Sequence, residues 1–210
     1  MLGFLACAHV TNVKSENTNA KTLRDTIRFS NSNILEEFLF VLRDKNVNTE
    51  NIFTNVDGEL FFNTNQAGYF RIKQSFENYK LHVEWKWPKK TGNGNSGVLI
   101  HTQAPDSVWP KCIQVQLKQL NAGDLIAMSG AMFNEAKGKP KDTANKLLDS
   151  NEKEEDNWND CNIICNQDSM IVYVNGVLQN RATQVNVTKG TIGFQLEGKP
   201  IYFRNLYLVK

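Results

Sequence analysis

Trp109-Pro-Lys-Cys-Ile-Gln-Val-Gln-Leu117 decides the fold class. Within it Ile113, Val115 and Leu117 alternate with Gln114 and Gln116, and strict alternation marks a strand with one buried face. Two other stretches repeat the pattern, with His82, Glu84 and Lys86 on the polar side of one and His101 and Gln103 on the polar side of the other. An ordinary solvated strand face carries Ser, Thr and Lys. Here His, Glu and Gln stand in those places, so the three strands are expected to present one row of hydrogen-bonding groups to a ligand, and a sugar-sized polyol suits that chemistry.

Downstream, Met170-Ile-Val-Tyr-Val174 runs into Asn175-Gly176 and then Val177-Leu178. Asn-Gly supplies the positive φ angles of a two-residue hairpin turn. Further turn residues, at Asp57-Gly58, Gly68, Gly92 to Gly94, Gly190 and Gly198-Lys-Pro200, cut the chain into short strands. That rhythm predicts an all-β sandwich of two antiparallel sheets. Thr191 to Glu197 sets Ile192, Phe194 and Leu196 against Gly193, Gln195 and Glu197, a second polar face. Phe203 and Leu206 differ in parity, which predicts a bulge at Arg204-Asn205. Ile34, Phe38 and Leu42 follow Asn31-Ser-Asn at fourfold spacing and predict a short peripheral helix, although Phe38 to Leu42 reads equally as a strand. Residues 134–157 are hydrophilic, end in the run Glu152-Lys-Glu-Glu-Asp156, and read as a long solvated excursion.

With 210 residues, 40% hydrophobic and 22% charged, the chain suits one domain over residues 33–210 behind a polar tether at 1–32. A net charge of +2, with Lys and Arg scattered, offers no footprint for nucleic acid. No stretch reaches the roughly 20 consecutive apolar residues that cross a bilayer as a helix. Met1-Leu-Gly-Phe-Leu-Ala-Cys7 resembles the end of a bacterial lipoprotein signal, in which a small residue precedes a lipidated Cys. Either a start lies upstream of Met1, since a signal carries an apolar run of about 7 to 15 residues, or this is an ordinary terminus. The first alternative predicts export, to the periplasm or to a membrane through a lipid anchor at Cys7. Cys161 and Cys165 fall on one strand about 13 Å apart, beyond disulfide reach, and with Cys112 are expected as buried thiols. Together with His9, His82 and His101 they make no zinc pattern.

Glu84, between Val83 and Trp85, points away from the core, either as a surface carboxylate paired with a cross-strand Lys or as a base or hydroxyl-gripping group. His101 is a structural imidazole or a proton carrier. Neighbouring strands would bring both onto one face with Gln114 and Gln116. Gly92-Asn-Gly-Asn-Ser-Gly97 lacks the Lys-Ser/Thr ending of a phosphate loop and reads as a hairpin connection with Asn95 and Ser96 facing a cleft. Trp109 is a sugar-stacking ring at a cleft rim or partly buried packing; Trp85 and Trp87 belong to the core. Asp124 carries charge into the site or caps a turn.

Taken together, Tyr79-Lys-Leu-His-Val-Glu-Trp85, Asn95-Ser-Gly-Val98, Trp109 to Leu117, Asn121-Ala-Gly-Asp124, Tyr173-Val-Asn-Gly-Val177, Ile192-Gly-Phe-Gln195 and Phe203-Arg-Asn-Leu206 resemble the 3-keto-disaccharide hydrolase domain family from about Ile34 onward. The resemblance implies a concanavalin-like jelly roll, usually exported, that cleaves glycosides already oxidised to a ketone at carbon 3 and carries no redox cofactor of its own. It implies a base, Glu84 or His101, with the other returning the proton. Asn95, Ser96, Gln116 and Gln195 would hold hydroxyls, with Trp109, Asp124 and Glu197 also at the substrate. Lys111, Arg204 or a divalent cation would stabilise an enolate. The family pattern often has Glu at position 114 and Arg at position 101, where this chain has Gln114 and His101; the resemblance thus counts Gln114 with Glu84 and His101 among the catalytic positions, and a base that belongs at position 114 would leave this chain binding-only or move the role to its neighbours. The Glu-x-Asp-x-x-Glu string of laminarinase-like relatives is absent. A non-catalytic carbohydrate-binding module and a structural sandwich that meets a partner protein are the competing readings.

Overall fold

The computed structural model describes residues 25–29 and 34–210. Cys7, His9 and the lipoprotein reading lie outside them. Among the described residues the chain runs through β1 (Thr26–Arg28), a one-turn helix α1 (Ile34–Glu37), β2 (Phe38–Leu42), β3 (Phe53–Val56), β4 (Glu59–Phe62), β5 (Ala67–Ile72), β6 (Tyr79–Lys86) and β7 (Gly97–Thr102). It continues through β8 (Cys112–Gln116), β9 (Leu125–Met128), β10 (Thr143–Ala144), β11 (Asn159–Asn166), β12 (Ser169–Val174), β13 (Val177–Ala182), β14 (Thr191–Glu197) and β15 (Ile201–Val209).

These strands form two antiparallel sheets, as the turn rhythm predicts. One, the β6 sheet, has the order β13-β12-β11-β6-β15-β4-β3, with β1 added along β15. The other, the β8 sheet, has the order β10-β9-β8-β7-β14-β5-β2. Alternation decides what lies between them. Leu81, Val83 and Trp85 of β6 and Val98, Ile113, Val115, Ile192, Phe194 and Leu196 of the β8 sheet are all buried in one core. Phe70 sits at its centre, stacked on Phe62 at 4.6 Å and on Phe194 at 5.0 Å, and edge-on to Phe203 at 5.7 Å. Because Phe62 and Phe203 come from one sheet and Phe70 and Phe194 from the other, this cluster joins the layers. A buried aromatic side chain of this kind contributes about 3–5 kcal/mol when measured by truncation.

Asn175 and Gly176 take φ values of 46° and 77° and Asp57 and Gly58 values of 51° and 81°, so both hairpins turn where expected. The bulge in β15 is also present, as a register shift between Arg204 and Tyr207 with Asn205 at φ 50°. Cys112, Cys161 and Cys165 are free and buried; burial pushes the Cys165 thiol up to about 12 and the other two well above the usual range.

Four expectations change. The peripheral helix is confined to Ile34–Glu37, and Phe38–Leu42 is a strand paired with β5; the fourfold spacing coincides with even parity, so Phe38 and Leu42 face the core either way. Thr26–Arg28, inside the stretch read as tether, pairs with Tyr207–Val209 of β15. The Gly92–Gly97 segment is no hairpin, because β6 and β7 belong to different sheets and it crosses between them. The acidic run is anchored: the Glu155 carboxylate accepts from the Lys90 and Gly92 amides and from Gln119 Nε2, and Glu152 accepts from the Ala122 amide and the Ser150 hydroxyl. Backbone amides of two loops, the β6–β7 crossing and the β8–β9 turn, converge on those two carboxylates, so they organise the crossing.

Gly68 marks the tightest backbone approach, at φ 150°, where an added Cβ would lie 2.1 Å from the Val41 carbonyl oxygen. Gly68→Ala should therefore lower the unfolding free energy by about 2 kcal/mol or more, measured by denaturant titration. An unchanged midpoint would contradict this packing of β2 on β5.

Candidate functional site

The outer face of the β8 sheet carries a chain of amides. Gln114 Nε2 donates to Gln116 Oε1 at 3.2 Å and to Gln195 Oε1 at 3.0 Å, and Gln195 Nε2 donates to Glu197 Oε2 at 3.0 Å. Gln114, Gln116 and Gln195 are 4%, 8% and 3% exposed, unusual for side chains of this polarity unless they are hydrogen-bonded. The direction of the chain follows from the backbone. The Leu117 and Lys118 amides both donate to Gln116 Oε1, which fixes that carboxamide and obliges Gln114 to present its NH₂. No described residue hydrogen-bonds Gln116 Nε2 or Gln114 Oε1, which leaves one donor and one acceptor for a ligand. Gly97 makes the crossing possible: it lies beneath Gln114, and an added Cβ would sit 2.6 Å from Gln114 Nε2.

One row further along the same face stands Glu197. Its Oε2 accepts from Asn95 Nδ2 at 2.6 Å as well as from Gln195. Ala67 is its register partner on β5, and the Arg43 amide donates to the Ala67 carbonyl, so Arg43 falls on the same row. On the other side the Leu117 amide donates to the Ser96 carbonyl, which brings Lys118 level with Asn95. Burial raises the Glu197 carboxyl above its ordinary range, and the charges of Lys118 and Arg43 pull it partly back. Neither cation was singled out from sequence. Lys118 could have been, since it continues the alternation of Gln114 and Gln116.

The neighbouring part of the face is apolar, with Tyr69, Leu99 and Cys112 buried together. Arg71 on β5 forms a two-pronged pair with Asp106, at 2.9 and 2.8 Å, and so ties the 103–111 loop to this part of the face. Trp109, 39% exposed, sits on that loop with its carbonyl accepting from the Ser107 and Ser129 hydroxyls. Lys111 is half-buried at the start of β8. Ser96 is fully buried and its hydroxyl donates to the Gln195 carbonyl, so it braces β14 and presents no free proton. Asp124 ends the turn after β8, and its Oδ1 accepts from the Lys146 amide at 2.7 Å, which ties that turn to the segment after β10. Asn95, Gln114, Gln116, Gln195 and Glu197 are thus brought together.

Three residues expected beside them are elsewhere. Glu84 and Arg204 lie on the outer face of the β6 sheet, where Arg204 Nε donates to Glu84 Oε2 at 2.6 Å and Asn205 Nδ2 donates to Oε1 at 2.8 Å. Arg204 also covers the Trp158 ring at 4.0 Å. Burial works against the Glu84 charge, but hydrogen bonds from Asn205, Arg204 and His82 outweigh it and hold this carboxyl below its ordinary value. His101 shares a sheet with Gln114 but not a face. Its φ of 56° breaks the alternation and turns the ring inward, edge-on to Tyr79 at 5.6 Å, with Nδ1 donating to the Val187 carbonyl. Gly190 permits this kink, since a Cβ there would lie 2.7 Å from His101 Cα. Among the described residues no group of three or more His, Cys, Asp and Glu is gathered as a metal site, and no helix is long and apolar enough to cross a membrane.

A family model described as the 3-keto-alpha-glucoside-1,2-lyase-like domain matches residues 26–209. No curated protein matches the sequence. Among solved structures, a candidate glycosyl hydrolase from Parabacteroides distasonis is similar with a TM-score of 0.63 at 18% identity, over 87% of this chain and 98% of that one. A carbohydrate-binding module from Bacillus subtilis gives 0.59 at 8% identity, over 81% and 95% of the two chains. A Bacillus licheniformis β-glucanase gives 0.54 at 16%, over 83% and 92%. At these identities the likeness is one of fold, the jelly-roll sandwich.

The position of His101 has a measurable consequence. Burial lowers its pKa from 6.5, against the opposing influence of the Val187 hydrogen bond and the Glu77 charge. The unfolded chain therefore binds this proton more readily, so stability is fully present above pH 6.5 and is lost as pH falls. Denaturation midpoints should decline between about pH 7 and 5, with a shallower decline in His101→Gln; equal slopes would contradict the buried neutral imidazole.

Proposed function

The chain belongs to the 3-keto-alpha-glucoside-1,2-lyase-like domain family, and from that premise we propose that it cleaves 3-keto-glycosides by base-assisted elimination followed by hydration, on the outer face of the β8 sheet. The observation that supports this reading is the buried amide chain Gln116–Gln114–Gln195 ending at the carboxylate of Glu197. A sugar offers hydroxyls that both donate and accept, and the chain leaves Gln116 Nε2 and Gln114 Oε1 to meet them.

The reaction needs less machinery than ordinary glycoside hydrolysis, which takes a paired acid and nucleophile. A ketone at carbon 3 acidifies the hydrogen on carbon 2. A carboxylate removes that proton, and the electron pair of the C2–H bond delocalises onto the ketone oxygen as an enolate. The enolate then collapses to a C1–C2 double bond and the C1–O bond breaks. The departing oxygen takes up the proton. Water adds its oxygen at carbon 1 and a proton returns to carbon 2, so the net change is hydrolysis.

A second reading is a carbohydrate-binding module, favoured by the similar fold of the Bacillus subtilis module and by Gln114, an amide that does not take up a proton at neutral pH. Incubation of the protein with a 3-keto-disaccharide, with the freed sugar quantified, separates the two. Catalytic release supports the enzyme; binding without release supports the module. On either reading Gln116→Ala should weaken sugar binding roughly tenfold, the effect of one hydrogen bond to a neutral group. Glu84→Gln, on the opposite outer face, should leave release unchanged, and a large loss in that variant would contradict the placement of the site.

A further inference from the structure

The proposed reaction requires a proton acceptor, and neither of the groups expected from sequence stands on the amide face. The carboxylates near that face can be sorted by what holds their oxygens. Asp106 has both oxygens in the fork of Arg71. Asp124 accepts from the Lys146 amide through Oδ1 and from Asn121 through Oδ2. Glu197 differs: both of its hydrogen bonds, from Asn95 and Gln195, fall on Oε2, and no described residue hydrogen-bonds Oε1. Beside it, Asn95 Oδ1 is buried with no donor among the described residues, an acceptor that a substrate hydroxyl would satisfy.

Resting on the reading of the protein as a 3-keto-glycoside-cleaving enzyme, we propose that Glu197 is its catalytic base, taking the carbon 2 proton on Oε1 and passing it to the departing glycosidic oxygen. The hydrogen bonds from Asn95 and Gln195 fix the carboxylate plane and leave Oε1 as the reactive oxygen. Half-burial raises its basicity, while Lys118 and Arg43 on the same row favour the ionised form. Gln114 then has a structural reason to be an amide. It donates at once to Gln116 and Gln195, which an ionised carboxylate cannot do, and the acid-base group lies at the end of the chain that this donation orients.

The test is the turnover of a 3-keto-disaccharide by full-length wild type, Glu197→Gln and Glu197→Ala, with binding and melting measured in parallel. Glu197→Gln keeps an oxygen that Asn95 and Gln195 can donate to, and it should fold and bind sugar as wild type does while turnover falls about 100-fold or more. Added formate, a small carboxylate that can enter the space left in Glu197→Ala, should restore part of the lost rate. Near-wild-type turnover in Glu197→Gln would overturn the assignment, as would a loss that tracks weakened binding and resists formate. Absence of release by the wild-type protein would instead remove the functional reading on which the assignment rests.

Discussion

The Gln114 carboxamide crosses from β8 to β14 through the space that Gly97 leaves on the strand between them. Everything proposed for the site depends on that crossing. It joins β8 to β14 across β7 by hydrogen bonds between side chains that are almost fully buried, and an unsatisfied amide in such a place would cost about 1–3 kcal/mol. The backbone amides of Leu117 and Lys118 set the orientation at one end and the Glu197 carboxylate sets it at the other. The chain is therefore a preorganised surface whose free donor and free acceptor are fixed before any sugar arrives.

The two outer faces of the sandwich show what such organisation does to a carboxylate. On the β6 sheet, Glu84 accepts from Arg204, Asn205 and His82 and is held below its ordinary range. A carboxylate so well satisfied is a weak base and a stable structural anion. On the β8 sheet, Glu197 accepts on one oxygen only, and burial shifts it upward. The difference in roles comes from hydrogen-bond supply and cover, since the two side chains are chemically the same and each stands on the outward side of an alternating strand.

Alternation made much of this legible without coordinates. It separated the core residues of β6, β8 and β14 from their outward neighbours, put Gln114, Gln116, Gln195 and Glu197 on polar faces, and located the β15 bulge from the parity of Phe203 and Leu206. It does not say which strands share a sheet. Glu84 and Gln114 stand in equivalent patterns, yet the segment after Trp87 crosses to the other layer, so they end on opposite sides of the molecule. His101 was misplaced for another reason: a positive φ at a residue other than glycine reverses the face of a side chain and leaves no trace in hydrophobic periodicity. Arg43 escaped notice because its position on the site row follows from pairing of β2 with β5, a strand that the sequence allowed to be a helix.

A structure of the protein with a 3-keto-disaccharide or its cleavage product bound tests the central claim most directly. The account predicts the sugar ring on the outer face of the β8 sheet, with hydroxyls hydrogen-bonded to Gln116 Nε2 and Gln114 Oε1 and its carbon 2 turned toward Glu197. A sugar seated on the opposite face, among Glu84, Arg204 and Trp158, would contradict it.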